Sequence, residues 1–209
     1  MYVLRINAMN PAPFFISAFL MLAPIGSMAS VTKELDAGQK RELAAGETVV
    51  IATDHDGLPW PELTLYKKVD APPEVIAKLF LDYENAPSYI PGMVAAKVVR
   101  EEGDGTKDVR YTVKMPVFTQ LTYTVRNHYS KHGDSFNVKW ELLESPVAKS
   151  SDGSLRVEPY EGQSIIRYSN LVHPTFPMAG ALKGQALKEA RATVEAIAKE
   201  AERVASTAS

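Results

Sequence analysis

The amino-acid sequence predicts an α+β domain. A curved antiparallel sheet of about seven strands wraps around a long C-terminal helix, with two short helices after the first core strand. Three observations carry this expectation. Residues 177–204 place Leu182, Ala186, Ala190, Val194, Ile197, Ala201 and Val204 at spacings of three and four, as in an amphipathic helix. Residues 94–172 form a run of strand-like segments separated by GDGT, PVFTQ, KHGD, SSDGS and YEGQ, which is hairpin chemistry. Asp70-Ala71-Pro72-Pro73-Glu74 opens a short helix, with proline tolerated in the first turn and Glu74 favoured by the helix dipole.

Length and composition set the limits. With 209 residues, 45% of them hydrophobic, the chain has enough material for one well-buried domain and an appendage. Its formal net charge of −2 comes without any basic run, so no Lys/Arg stripe is available for nucleic-acid phosphates. The absence of cysteine removes disulfides, thiolate metal sites and a lipid-bearing N-terminal cysteine.

Residues 1–29 read as a secretory signal peptide. Arg5 supplies a weak positive start, residues 14–22 (FFISAFLML) an apolar core, and Ser27-Met28-Ala29 a small-x-small cleavage site. The apolar stretch is short for a bilayer span of ~20 residues. The expected location is therefore periplasmic or secreted. Residues 30–46 are expected to form an N-terminal extension, predicted as a short surface helix stopped by Gly46, and residues 47–205 the main domain.

Within that domain, residues 49–53 and 63–69 read as strands joined by the turn Thr53-Asp54-His55-Asp56-Gly57. Val75, Ile76, Leu79, Phe80 and Tyr83 then share one helical face, and a second short turn or helix follows over 88–92. The meander alternates clearly in its middle: Tyr111, Val113 and Met115; Leu121, Tyr123 and Val125; Phe136, Val138, Trp140 and Leu142. Their neighbours are mostly Arg, Thr, Lys, Asn and Glu, as in a sheet covered on one side.

These segments together resemble the START-like (SRPBCC) helix-grip superfamily, which includes polyketide cyclases, ubiquinone-binding proteins and lipid-transfer relatives. The resemblance rests on VDAPPEV at 69–75, DYENAPSYIP at 82–91, the strand meander, and the long helix entered through HPTFPMAG. It covers about residues 47–204 and implies an apolar tunnel between sheet and helix. Fold does not dictate function, so the implied activities diverge. One is binding and transport of a hydrophobic small molecule or lipid, with transient membrane contact. Another is a cyclase or dehydratase using His173, Arg167 or a cavity tyrosine as acid or base. The third is a protein-interaction module with a collapsed cavity.

The expected ligand-binding residues are Tyr111, Val113, Met115, Tyr123, Phe136 and Trp140 on the sheet, with Leu182, Ala186 and Ala190 on the helix. An alanine-rich helix face across a broad sheet leaves space that native packing would otherwise fill. Arg167 joins them if its parity points inward, where it would meet a charged head group; outward, it is a surface arginine. Tyr89, Ile90, Phe118, His173 and Phe176 are expected at the cavity entrance. Gly180 and Gly184 suggest close approach of either a strand side chain such as Trp140 or the ligand. No metal or cofactor is expected. His128 and His132 flank a turn without accompanying ligands, and aligning the Asp54–Gly57 turn with a calcium loop puts Ala52 and Leu63 where oxygen donors are needed.

Overall fold

A computed structural model describes residues 30–114 and 119–207 of the chain. Its strands are β1 (Val49–Thr53), β2 (Glu62–Val69), β3 (Met93–Glu101), β4 (Thr106–Val113), β5 (Leu121–His132), β6 (Ser135–Glu144), β7 (Ala148–Tyr160) and β8 (Gln163–Pro174). They form one 8-stranded antiparallel sheet in the order β1-β2-β8-β7-β6-β5-β4-β3. That is slightly more than the seven or so expected. The expected signal peptide, residues 1–29, and Met115 and Phe118 fall outside the described residues.

Among the described residues, three α-helices accompany the sheet: α1 (Ala37–Ala44), α2 (Pro73–Leu81) and α3 (Lys183–Thr207). Pro73 occupies the first turn of α2 and Glu74 adds favourable charge there. A 3₁₀ turn over Tyr83–Ser88 follows directly. Another, Ala179–Leu182, leads into α3, so that helix starts later than the sequence pattern implied.

Only part of α3 is gripped tightly. Its buried residues Val194, Ile197, Ala198 and Ala201 pack with Ile76 of α2 and with Leu65, Leu155, Val157 and Ile166 of the sheet. Burying each large aliphatic side chain in such a cluster contributes roughly 1.5–3 kcal/mol. Phe136 also lies in this core, 5% exposed, with its ring stacked on Tyr129.

The opposite, convex face is not wholly wet. Val31, Leu35 and Leu43 of the N-terminal extension bury themselves against Val49, Tyr66 and Ile165. The expected surface helix is therefore a structural strap. A capping box starts α1: Asp36 Oδ1 accepts from the Gln39 backbone N–H, and Gln39 Oε1 accepts from that of Asp36. Buried Glu158 of β7 holds the strap's beginning, accepting from Ser30 Oγ at 2.7 Å and the Val31 N–H at 2.9 Å.

Candidate ligand cavity

A cavity of about 560 Å³ opens where the first half of α3 parts from the sheet. Its floor is the concave face of β4, β5, β6, β7 and β8, and its other walls come from α2, the 83–88 turn, the segment into β3, and α3. A second crevice of about 390 Å³, near Gly46, Lys67, Asp70, Glu195 and Lys199, lies between α1 and α3. Its charged walls offer little apolar surface for a hydrophobic ligand to cover.

Strand register builds the aromatic wall. Tyr111 of β4 is directly opposite Tyr123 of β5, and their rings stack with centroids 5.6 Å apart. Tyr83 meets Tyr111 edge-on at 6.5 Å, and Phe80 links Tyr83 to Trp140. Trp140 in turn lies 5.4 Å from Tyr168. These rings form one continuous lining, joined by Val113, Val125 and Met93.

A cross-strand row explains the position of Trp140. Trp140 of β6 pairs with Gly153 of β7, which pairs with Asn170 of β8. Because Gly153 has no side chain, the indole lies across β7 and its Nε1 donates to Asn170 Oδ1 at 3.2 Å. A Cβ at position 153 would overlap the indole. By contrast, nothing lies within 4 Å of a Cβ built at Gly180 or Gly184, so neither makes room for Trp140.

Burial governs the hydroxyls. It pushes Tyr123 up to about 12, with the Glu189 charge adding to the effect, and it raises Tyr111, Tyr168, Tyr83 and Tyr89 as well. These groups are therefore protonated hydrogen-bond donors at neutral pH. The Tyr89 hydroxyl is already committed, donating to the Leu79 carbonyl at 3.1 Å.

Several expected site residues lie on the lining: Tyr111, Val113, Tyr123, Trp140, Tyr89 and Ile90. Others do not. Phe136 belongs to the core. Leu182 ends the turn before α3, and Ala186 and Ala190 leave the lining because the cavity faces another side of the helix, carrying Gln185, Lys188, Glu189, Ala192 and Thr193. Ala190 packs against the core instead.

Arg167 points to the convex face. Its Nε donates to Glu34 Oε2 at 3.0 Å, and Tyr66 donates its hydroxyl to the same carboxylate at 2.6 Å. Burial opposes ionisation of Glu34, yet these hydrogen bonds outweigh it and hold the carboxyl below its ordinary range. Arg167 is thus a strap anchor rather than a head-group ligand.

His173 sits across from Ser150 near the end of β8, away from the lining. Phe176 instead packs edge-on to Trp60 at 6.0 Å, while Trp60 Nε1 donates to the Ala179 carbonyl at 2.7 Å. That clasp fixes the approach to α3. Among the lining residues, Tyr168, Asn170, Asn127 and Ser151 have no counterpart in the sequence-based expectations. Their only sequence signal is parity: Tyr168 and Asn170 alternate with Arg167 and Ser169.

The described fold resembles several solved structures. The STAR-related lipid transfer protein fragment from Xanthomonas axonopodis superposes with a TM-score of 0.65 at 14% identity, covering 74% of this chain and 93% of that one. The lipid transfer and protein localization domain of human StarD13 gives 0.58 at 15% identity, covering 83% and 98%. The Zhui aromatase/cyclase from Streptomyces sp. R1128 gives 0.57 at 18% identity, covering 68% and 93%. Identities this low establish the START-like helix-grip fold alone. No curated protein matches the chain by sequence. A family model does match residues 61–208, from the start of β2 through α3, and the chain belongs to the polyketide cyclase / dehydrase and lipid transport family.

Proposed function

We propose that this protein binds one lipid-like, hydrophobic small molecule between the sheet and the first half of α3 and carries it through water. The observation that carries this reading is the separation of core from cavity. One side of α3, from Leu187 and Ala190 to Ala201, closes a packed core, whereas another side near its start, from Gln185 to Thr193, stands over an aromatic-lined space of about 560 Å³. Covering ~400 Å² of apolar ligand surface at ~25 cal/mol per Å² corresponds to ~10 kcal/mol before ordering costs. Burial alone can therefore hold such a ligand.

Ala192 provides the test. Ala192→Phe places a ring in the open space, so it should weaken binding of a fluorescent fatty acid at least tenfold, about 1.4 kcal/mol, without lowering the melting temperature. Unchanged affinity would overturn the reading. So would overpacking of ~1–3 kcal/mol, which would mean that the space is already filled.

The cyclase or dehydratase reading draws on the family description and on the likeness to an aromatase/cyclase. The raised tyrosines are weak acids at neutral pH, which favours holding a ligand over transferring a proton. Native mass spectrometry of protein taken from its host separates the two: a stoichiometric lipid supports carriage, and empty protein that turns over an aromatic precursor supports the enzyme.

We also infer export, with cleavage after Ala29. Ser30 and Val31, just beyond that point, carry the bonds to Glu158, so cleavage there leaves the strap anchored. Intact mass of the exported protein should show a chain beginning at Ser30. Recovery of the full-length chain in the membrane fraction would contradict it.

A further inference from the structure

One corner of the cavity has a fixed hydrogen-bond polarity. Asn170 Oδ1 accepts from Trp140 Nε1 at 3.2 Å and from Ser151 Oγ at 3.1 Å. Indole nitrogen can only donate, so the atom facing it must be the amide oxygen, and this settles which way the Asn170 amide is turned. Both lone pairs of that oxygen are then occupied. The remaining Asn170 polar atom, Nδ2, can only donate.

Tyr168 stands two residues before Asn170, so both side chains lie on the same face of β8. Asn170 Nδ2 has protons to offer, and the Tyr168 hydroxyl has another. Both residues line the cavity. One N–H of Asn170 and the O–H of Tyr168 are therefore left as donors beside an otherwise aromatic wall.

We propose that Tyr168 and Asn170 form a paired donor site for one carbonyl oxygen of the cavity-bound ligand, with Trp140 and Ser151 acting as positioning residues. A carbonyl oxygen has two lone pairs and no proton, matching two donors side by side. Burial keeps the Tyr168 proton in place at neutral pH. The inference rests on the ligand-cavity reading above and adds the polar feature that the ligand must carry.

The test uses two fluorescent probes on the purified protein: prodan, a naphthyl ketone, and the same molecule with its carbonyl replaced by methylene. Tyr168→Phe should weaken prodan about fivefold, the size of one net neutral hydrogen bond, while changing binding of the methylene analogue less than about twofold. Bound prodan should also emit further to the blue, and its carbonyl stretch should rise in frequency. Asn170→Asp should give the same spectral change, because a carboxylate has no N–H to offer the ligand carbonyl; if that variant does not fold, Tyr168→Phe decides alone. Wild-type-like prodan affinity and spectra in Tyr168→Phe, or equal weakening of both probes, would overturn the donor site and leave the cavity standing. If neither probe binds the wild-type protein, the cavity reading falls, and this inference with it.

Discussion

Gly153→Ala is expected to destabilise the protein by about 3 kcal/mol, the upper end of ordinary overpacking. The added methyl would occupy the volume of the Trp140 indole and come 2.6 Å from the Ser169 carbonyl oxygen. A flexible side chain could move aside; a ring held at Nε1 by Asn170 and flanked by Phe80 and Tyr168 has little freedom. In a domain of this size the melting temperature should fall by ~6–12 °C. Urea unfolding of the single variants and of Trp140→Ala with Gly153→Ala divides the cost. Without the indole, the Gly153→Ala penalty should shrink but not vanish, because the clash with backbone at Ser169 persists. A Gly153→Ala protein as stable as wild type would mean that Trp140 does not cross β7.

Glu158→Ala should cost about as much, ~3 kcal/mol, for an electrostatic reason. Glu158 is 5% exposed, and besides its two bonds to the strap it is ion-paired with Arg156 Nη2 at 3.1 Å. Arg156 is also the direct cross-strand partner of Arg167. Two guanidinium groups thus lie side by side on the convex face, balanced by Glu158 and Glu34. Removing Glu158 takes away a buried negative charge beside that pair and two acceptor contacts of the strap. Glu158→Gln keeps an acceptor and loses the charge, so stability should rank wild type, then Gln, then Ala. Hydrogen exchange should show the loss first at residues 31–46, where the strap lets go. Uniformly unchanged protection there would argue against the anchor.

The sheet was more legible than the helix, for a physical reason. In β4, β5 and β6 one face meets the core or cavity and the other meets water, so a period of two identifies Tyr111, Tyr123 and Trp140 directly. In β8 the contrast fails. Ile165 and Ile166 are both fully buried, one beneath the strap and one in the main core, so alternation could not assign a side to Arg167. On α3, helical periodicity found the packed residues Val194, Ile197 and Ala201. It passed over Gln185, Glu189 and Thr193, because a wall facing open space need not be apolar. Hydrophobic periodicity reports burial against protein, and a ligand cavity is where that correspondence stops. The Trp140–Gly153–Asn170 row was hidden for another reason: it depends on the register of three strands, and no single strand contains it.

The strand order also constrains how the molecule can assemble. β2 pairs with β8, joining Leu63 to Asn170 and Val69 to Ser164, while the strap's bond to Glu158 links positions 128 residues apart. Each of these contacts closes a long loop, whose entropy must be met before any pairing compensates it. The intervening hairpins from β3 to β8 can zip locally, so they are able to form early. The first core strand has no inner neighbour until the last one arrives. A growing chain of this kind has no self-sufficient N-terminal half, and the protein becomes a protein only when its far end is present.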